Sequence, residues 1–355
     1  MNLLIVAKLS REKLLSKLRP FIDNPEVKHI YILRDELFAT DCEKISFAPV
    51  PRRKGLFRHI EKINIARKFI KEHHVDIVIS YLLPPHGYIA WIVTRMTSAK
   101  WIHAIIAGHR EIWMNGKIMR SVNLRLLKDT SAIDVMGQAT YQYLKNNGID
   151  AKKIAIIPNA IDGSLFSNTI HKIYKYDILY ASRIDENKNV PLLIKAIGRL
   201  SSKYPNLMVC VAGDGDKLES IKALADEMKL SHLITFLGHV DHDHIKELYD
   251  VSRIFVLTSR GEGVPMALLE AMFCGMACIS TNVGEISSII NDGVNGYLLP
   301  NTEDDKVLAN KLDTLLSDSN LCQQFGNEAT KIKETYSFDH VASLWAKTLK
   351  NIYHD

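Results

Sequence analysis

The sequence has few cysteines and no long hydrophobic run. Its five cysteines are scattered and none forms a Cys-x-x-Cys pair, so neither a disulfide framework nor a zinc site is indicated. We interpret Cys274 and Cys278 as buried thiols because no histidine lies near them in sequence. No apolar stretch reaches the roughly 18 residues of a membrane-spanning helix, and the opening MNLLIVAK does not resemble a secretory signal. We therefore expect a cytoplasmic protein that does not cross a membrane.

Two common nucleotide-binding motifs are also missing. The chain contains no complete Gly-x-Gly-x-x-Gly and no Gly-x-x-x-x-Gly-Lys-Ser/Thr. Their absence argues against nicotinamide-dependent enzymes and P-loop ATPases.

Length and charge point to two different halves. A chain of 355 residues exceeds the size at which a single core stops growing, so two domains are expected. Residues 1–160 hold 26 Lys and Arg against 14 Asp and Glu, whereas the remaining residues hold 19 against 26. A basic first half suits nucleic acid, an anionic membrane surface or a phosphorylated substrate. The two halves therefore predict different partners.

Short apolar runs alternate with longer helical patterns from end to end. Such alternation is typical of parallel sheets covered by helices on both faces. We predict doubly wound α/β domains at residues 1–160 and 161–337, divided near the turn-rich segment 158–162, followed by a C-terminal segment at 338–355. The predicted strands are 3–7, 29–33, 45–50, 77–80, 101–106, 132–136, 154–157, 177–180, 207–212, 234–237, 254–257, 277–280 and 296–299.

Residues 259–272, SRGEGVPMALLEAM, place two carboxylates around the start of one helix. Pro265 suits the first helical turn because its missing N–H has no helical partner there. Glu262 then lies in a Gly-Glu-Gly loop at the positive end of the helix dipole, and Glu270 lies about one and a half turns further along. The flanking glycines let the backbone approach a ligand. The segment favours binding of a polyhydroxylated ligand by the two carboxylates. The alternative is an ordinary loop and helix with two solvated glutamates, which would give the same spacing.

Other polar residues and glycines follow the neighbouring predicted strands. Arg183 and Lys188 come after strand 177–180, where a diphosphate docks in doubly wound sheets. A solvated surface loop is the alternative. Gly213 and Gly238 mark the ends of the next two strands, and glycines at such turns are routine. Each motif is therefore weak on its own.

Taken together and in order, these segments resemble the donor-sugar domain of family 4 retaining glycosyltransferases. The resemblance runs from about residue 132 to the C-terminus. It implies the GT-B architecture: two facing Rossmann-like domains, with a C-terminal helix at 338–355 that crosses back to the first. The motifs that carry it are IPNAID (157–162) with Phe166, the Arg183/Lys188 loop, AGDG (212–215), FLG (236–238), residues 259–275 with their Glu-x7-Glu pair, and NDGVNG (291–296).

The resemblance implies a nucleotide-sugar site in the second domain. Arg183 and Lys188 would hold the diphosphate, Glu262 the transferred sugar, and Glu270 the ribose hydroxyls. Protein charges then neutralise the diphosphate, so no metal or other cofactor is expected beyond the nucleotide-sugar co-substrate. In this family the leaving phosphate helps to deprotonate the acceptor on the same face, so neither glutamate is required as a nucleophile. Further implied donor contacts are Gly213, Gly238, His239, Val240, Ser259, Gly261, Gly263, Val264, Pro265 and Met266.

The first domain matches the family less well. Many relatives have a Gly-Gly loop after the first strand, and the backbone of that loop approaches the donor phosphate. This chain has VAKLSR (6–11) there instead, so Lys8, Ser10 and Arg11 are candidates for replacing the phosphate contact. Relatives often carry a histidine after the strand at 101–106. Ile106 holds that position here, which makes His109 the candidate catalytic contact to the sugar or acceptor. His103 lies in mid-strand and is predicted to be a core residue.

A cationic segment, PRRKGLFRH (51–59), precedes a predicted helix at 60–73. It suits an anionic leaflet or a lipid-linked diphosphate, with a solvated basic helix as the alternative. The candidate acceptor contacts in it are Arg52, Arg53, Lys54 and Arg58.

These patterns predict transfer of a hexose-type sugar from a UDP- or GDP-linked donor. The acceptor would be a glycan or lipid-linked intermediate of surface polysaccharide or glycolipid synthesis, with peripheral contact to an anionic membrane and no nucleic-acid partner. Three alternatives remain: a GT-B nucleotide-sugar epimerase or hydrolase, a glycogen-synthase-like enzyme with a soluble polymer acceptor, and a non-catalytic nucleotide-sugar-binding protein.

Overall fold

A computed structural model of the protein describes residues 1–113, 116–163, 165–166 and 174–354, apart from the side chains of Leu56, His242 and Asp243. The chain divides into two compact units. The first comprises Met1–Ala160 together with Phe338–Asp355, and the second comprises Ile161–Ser337.

The first unit is built on a seven-stranded, fully parallel sheet. Its strands are β1 (Asn2–Val6), β2 (His29–Leu33), β3 (Ile45–Phe47), β4 (Ile77–Tyr81), β5 (Lys100–Ile105), β6 (Ala132–Val135) and β7 (Ile154–Ile156). They lie in the order β3-β2-β1-β4-β5-β6-β7. The order reverses between β1 and β4, so the crossover helices cover both faces of the sheet, and ligands of such sheets bind at the carboxyl ends of the strands.

The helices of the first unit are α1 (Arg11–Ile22), α2 (Leu56–Glu72), α3 (Tyr88–Arg95), α4 (Arg110–Trp113), α5 (Gly116–Lys128) and α6 (Gln138–Asn146). Buried residues of α2, α3, α5 and α6 pack on one face of the sheet. The other face is covered by α1 and by the C-terminal helix of the chain, residues Phe338–His354. Phe21 and Trp345 make an edge-to-face contact at 4.8 Å there, an arrangement that aromatic pairs favour.

The second unit is built on a six-stranded parallel sheet. Its strands are β8 (Tyr176–Ala181), β9 (Val209–Ala212), β10 (Ile234–Gly238), β11 (Ser252–Leu257), β12 (Ala277–Thr281) and β13 (Tyr297–Leu299), in the order β10-β9-β8-β11-β12-β13. The helices are α7 (Val190–Leu200), α8 (Leu218–Glu227), α9 (His242–Asp250), α10 (Met266–Phe273), α11 (Asp305–Ser317), α12 (Ser319–Ala329) and α13 (Lys333–Tyr336), which makes the C-terminal helix α14.

The prediction of two doubly wound Rossmann-like domains is confirmed, and each predicted strand is present. Several predicted boundaries differ by one to four residues, and three of these differences have a physical interpretation or bear on the site. Strand β3 stops at Phe47 rather than residue 50, because Pro49 and Pro51 cannot donate to a ladder. Helix α2 begins at Leu56 rather than residue 60, directly after Gly55, whose φ of +60° suits glycine. Pro265 is the N-cap of α10, in extended geometry, and not a first-turn residue.

Within the described part of the chain, no helix combines the length and the hydropathy of a membrane span.

Candidate functional site

The candidate site residues of the second unit follow the carboxyl ends of adjacent strands. Arg183 comes after β8, Gly213 after β9 and His239 after β10. Glu262 lies in the loop between β11 and α10, and Glu270 lies on α10. Because parallel strands end at the same edge of a sheet, residues distant in sequence meet there.

A pocket of about 240 Å³ opens at this edge. It brings together five of the residues expected from the sequence: Arg183, Gly213, His239, Val240 and Glu270. Seven further lining residues were not singled out as donor contacts: Ala181, Ser182, Ala212, Asp214, Ile245, Tyr249 and Ala267.

Glu270 is a buried carboxylate that a neighbouring tyrosine orients. The hydroxyl of Tyr249, which is fully buried, donates to Oε2 of Glu270 at 3.0 Å. Burial, reinforced by the charge of Glu270, raises the pKa of Tyr249 well above its ordinary value, so this tyrosine keeps its proton and remains a donor. Tyr249 is therefore a site residue that sequence reasoning missed, and α9 gives no motif that marks it.

Lys188 and Glu262 contact each other directly. The Nζ of Lys188 lies 2.5 Å from Oε1 of Glu262, and the two side chains are only 12% and 11% exposed. Lys188 ends a short helical turn that Asp185 caps by accepting the Lys188 N–H at 3.1 Å. The sequence predicted both residues at the ligand, and the structure adds that each neutralises the other in a largely desolvated pair. Removing one partner of such a pair leaves an uncompensated charge.

Hydrogen bonds tie the two loops that hold this ion pair. Asn187 donates its side-chain N–H to the Gly261 carbonyl at 2.8 Å, and Arg260 donates its backbone N–H to the Asn187 carbonyl at 2.7 Å. The Arg260 guanidinium also contacts Glu186 at 2.7 Å and Glu303 at 2.9 Å. These partners lie 43 or more residues apart in sequence, so no local motif predicts them.

Two glycines allow close backbone approaches at the site. A Cβ on Gly213, whose φ is +145°, would lie 1.8 Å from the Ser182 carbonyl oxygen. A Cβ on Gly284, whose φ is +61°, would lie 2.0 Å from the Glu262 carbonyl oxygen. Both positions therefore require glycine, and Gly284 supports the loop that carries Glu262.

The other expected donor contacts lie around the pocket rather than among its lining residues. Ser259 is fully buried, and its carbonyl accepts the Thr281 hydroxyl at 2.5 Å. The Gly238 carbonyl accepts the Gly213 N–H at 2.7 Å. Gly261, Gly263, Val264, Pro265 and Met266 form the connection into α10.

An Asp-x-Asp sequence, Asp214-Gly215-Asp216, follows β9. One Asp214 oxygen accepts the Gly215 N–H at 2.7 Å within that turn. Among the residues described, no three or more His, Cys, Asp or Glu side chains are grouped as metal ligands.

In the first unit, the three candidates after β1 differ in their surroundings. Lys8 is exposed, whereas the Ser10 hydroxyl caps α1 by accepting the Lys13 N–H at 3.4 Å. The Arg11 guanidinium lies 6.0 Å from the ring centre of Phe38. Ser10 therefore has a structural role at the start of α1.

The candidate histidine and the basic segment also belong to the first unit. His109 is half-buried and stacks on Tyr143 at 4.9 Å. Phe57 is 61% exposed at the start of α2. The carboxylate of Glu61 accepts the backbone N–H groups of Arg52 and Arg53 at 3.1 and 2.8 Å, and these bonds hold the pKa of Glu61 below its usual value. Lys54 is exposed beside them, and Arg58 lies inside α2.

The prediction that His103 is a core residue is confirmed, because its side chain is fully buried. Its Nδ1 lies 2.8 Å from the Ser80 hydroxyl and its Nε2 lies 3.1 Å from Oε1 of Glu111. The same Glu111 oxygen accepts the Leu83 N–H at 2.6 Å. Sequence reasoning missed this buried polar network, since Glu111 is a single carboxylate that no motif in the sequence marks.

Two family patterns match the chain in tandem. The pattern described as Glycosyl transferases group 1 matches residues 167–332, and the pattern described as Glycosyltransferase Family 4 matches residues 28–165. Together they cover most of both units, leaving out residues 1–27, 166 and 333–355. The chain belongs to the family 4 glycosyltransferases.

Curated relatives extend over most of this glycosyltransferase. It is 25% identical over 328 residues to a Campylobacter jejuni protein named GalNAc-α-(1→4)-GalNAc-α-(1→3)-diNAcBac-PP-undecaprenol α-1,4-N-acetyl-D-galactosaminyltransferase, covering 91% of this chain and 87% of the relative. It is 27% identical over 284 residues to the O-antigen biosynthesis glycosyltransferase WbnH of Escherichia coli, covering 79% and 78%.

A solved structure shares the GT-B fold of the glycosyltransferase. Anabaena HepE, crystallised in complex with UDP and glucose, aligns over 99% of this chain and 100% of its own with a TM-score of 0.80. The sequence identity in that alignment is 17%, so the similarity shows the fold.

Proposed function

We propose that this glycosyltransferase is a retaining enzyme that transfers a hexose-type sugar from a UDP- or GDP-linked donor. Its acceptor would be a glycan or lipid-linked intermediate in the synthesis of a surface polysaccharide or glycolipid. In this proposal the second unit binds the donor and the first unit binds the acceptor. The observation that carries the proposal is the pocket at the strand ends of the second unit, where Arg183, His239 and Glu270 line one cavity.

Each group around this pocket suits one part of a nucleotide sugar. Glu270, oriented by Tyr249, presents a carboxylate to the vicinal hydroxyls of ribose. The backbone at His239 and Val240 lines the pocket and suits the base. Arg183 is exposed and its guanidinium lies 3.3 Å from Asp185, so it can turn toward a diphosphate and bind it in a bidentate manner.

The Lys188–Glu262 pair suits the centre of the reaction. A diphosphate competes with Glu262 for the ammonium of Lys188, and a sugar hydroxyl can donate to the Glu262 carboxylate in return. The N-terminus of α10 adds positive potential next to Glu262. Lys188, Arg183 and this helix end would then stabilise the leaving diphosphate without a metal ion, and the leaving phosphate would assist deprotonation of the acceptor, with retention of configuration. His109 of the first unit stays a candidate for a sugar or acceptor contact.

The relatives support the choice of donor and acceptor. The name of the Campylobacter jejuni relative specifies an undecaprenol diphosphate acceptor, and the E. coli relative is named for O-antigen biosynthesis. The solved structure of HepE contains UDP. We extend these chemistries to this chain as part of the proposal, together with a cytoplasmic location.

Substitution of Glu262 tests the proposal. Glu262→Gln keeps the size of the side chain but removes its charge, and we expect transfer to fall by about 100-fold or more, as is typical when a group that stabilises the transition state is lost. Glu219→Gln is the matched control, because Glu219 lies exposed on α8 of the same unit. Transfer at the wild-type rate in a folded Glu262→Gln variant would reject the assignment. Donor hydrolysis without transfer to any added acceptor lipid would favour a hydrolase instead.

Thermal unfolding with a panel of nucleotide sugars identifies the donor. A ligand that binds only the folded state at 100 times its Kd adds about 2.7 kcal/mol of stability. We expect one UDP- or GDP-sugar to raise Tm more than the others.

Peripheral membrane contact is the second part of the proposal. Exposed Phe57 stands next to Arg52, Arg53 and Lys54, and such a combination binds anionic lipid surfaces. In liposome flotation we expect recovery with anionic vesicles and not with neutral ones. Equal recovery with both, unchanged when Arg52, Arg53, Lys54 and Arg58 are replaced, would contradict membrane contact.

A further inference from the structure

Cationic side chains follow the carboxyl ends of the neighbouring strands β1, β2 and β4 in the first unit, and parallel strands end at the same edge of a sheet. Lys8 follows β1, Arg34 follows β2, and His86 lies in the short segment that follows β4. Lys62 reaches the same place from α2, where its ammonium is buried and lies 2.9 Å from Oδ1 of Asp35. Of these residues, only Lys8 was singled out from the sequence.

The negative charge that faces this cluster is small. Asp35 pairs with Lys62, and the guanidinium of Arg58 lies 3.9 Å from the same carboxylate oxygen. Burial acts to raise the pKa of Asp35, but the hydrogen bond from Lys62 and the charges of Lys62, Arg58 and Lys8 together hold that pKa below its usual value. One carboxylate therefore faces several cations, and the cluster carries a net positive charge.

Arg34 is the most unusual member of the cluster. Its side chain is only 9% exposed, and its Nε and Nη1 have no hydrogen-bond partner among the described residues. The guanidinium lies 5.0 Å from the ring centre of Phe38, a ring that Arg11 also approaches. The aromatic ring offsets part of the guanidinium charge, but it does not replace the oxygen acceptors that Nε and Nη1 lack. A buried guanidinium without acceptors is costly, so an anion is the expected partner.

His86 adds a second buried group without a partner. It is 3% exposed, and its Nδ1 makes no hydrogen bond within the part of the chain that the structure describes. Burial, followed by the charge of Lys62, lowers the pKa of His86 to about 4. The ring is therefore neutral at physiological pH, and the tautomer with a proton on Nδ1 can donate to an oxygen.

The segment that carries His86 is already held in place. The Leu83 N–H donates to Glu111, and Glu111 contacts His103 inside the sheet. The Leu83 bond to Glu111 therefore anchors the start of the segment that carries His86.

We propose that Arg34, Lys62 and His86 form a binding site for the phosphoryl group of the acceptor, as a phosphate or diphosphate ester. This inference rests on the proposed function, in which the first unit binds the acceptor. A phosphate has several acceptor oxygens and negative charge, which match a guanidinium, an ammonium and a neutral imidazole donor. The same chemistry would suit free pyrophosphate or the diphosphate of a nucleotide, and the experiment separates these sources.

The experiment measures binding to the full-length protein by calorimetry in the presence of saturating UDP, which occupies the nucleotide site. The two titrants are inorganic pyrophosphate and geranyl diphosphate. We expect geranyl diphosphate to bind with a stoichiometry of one. Arg34→Gln and His86→Asn should each weaken that binding at least tenfold, while Arg67→Gln, an exposed residue of α2, should leave it unchanged. UDP affinity, measured separately in each variant, should stay within about twofold of the wild type.

Several results would overturn the inference. Undiminished binding of geranyl diphosphate in both folded variants would exclude the cluster as its site. Absence of geranyl diphosphate binding to the wild type, with or without pyrophosphate binding, would exclude a phosphorylated acceptor here. A second equivalent of UDP that geranyl diphosphate fails to displace would assign the cluster to the nucleotide. In each case retained UDP binding and Glu262-dependent transfer would leave the proposed function intact, so the two failures are distinguishable.

Discussion

Replacement of Gly284 by alanine should displace the loop that carries Glu262. The added Cβ would lie 2.0 Å from the Glu262 carbonyl oxygen and 2.8 Å from its carbonyl carbon, whereas real Cβ contacts below 3.0 Å essentially do not occur. The loop must therefore retreat by about 1 Å, and a shift of that size at a reacting centre can cost about 100-fold in rate. We expect kcat for sugar transfer to fall by about that factor. UDP affinity should change only a few-fold, because the lining of the pocket does not include Gly284.

Gly293→Ala is the matched control. Gly293 also has a positive φ, +75°, but no atom lies within 4 Å of the position its Cβ would take. Backbone strain should lower the free energy of unfolding of this variant by about 1–2 kcal/mol, as measured by urea unfolding. Its kcat should stay unchanged. Wild-type kcat in Gly284→Ala, or equal losses of transfer in the two variants, would refute the link between the Glu262 loop and the reaction.

Two further predictions concern buried polar groups. Tyr249→Phe removes the hydroxyl that Glu270 accepts, so we expect a loss of about 2 kcal/mol in the free energy of unfolding and weaker UDP binding by calorimetry. Tyr204→Phe, which removes a hydroxyl bonded to Asp313 at 2.6 Å, should leave UDP affinity unchanged, and identical UDP affinities in the two variants would argue against a role for Glu270. Burial lowers the pKa of His86 to about 4 in the folded protein. As the pH falls from 6.5 to 4, His86 is therefore protonated in the unfolded chain but still neutral in the folded one. The free energy of unfolding should fall by up to about 3 kcal/mol over that range. Urea unfolding across that range should show a smaller acid loss in His86→Asn than in the exposed-site control His232→Asn, and parallel profiles would contradict the assignment.

The strands of both sheets could be predicted from the sequence because they are nearly all buried. A buried strand requires a short run of apolar residues, such as residues 254–257. The sequence also predicted that Arg183, Gly213 and Glu270 would meet, since the carboxyl ends of parallel strands share one edge of a sheet. The ion pair between Lys188 and Glu262 was not predictable in the same way. It joins residues 74 positions apart, and their contact depends on two loop conformations that no local spacing specifies.

The first-unit cluster was missed for a related reason. Arg34 and Lys62 look like ordinary surface cations in sequence, because charged residues are seldom buried. In the folded chain the Phe38 ring lies against the Arg34 guanidinium and Asp35 pairs with Lys62, and no local motif predicts either contact. The start of α2 itself was placed four residues too late, since a glycine before a run of basic residues is equally typical of a loop.

Helix α14 makes the order of synthesis matter. Its residues complete the first unit, with Trp345 against Phe21 and the Ile352 carbonyl accepting the Lys100 ammonium, yet they are made after the whole of the second unit. While the ribosome translates residues 161–337, the part of α1 that packs on α14 still lacks its cover. The second unit, whose sequence is continuous, can fold first, and the nascent first unit must wait exposed until the last helix emerges.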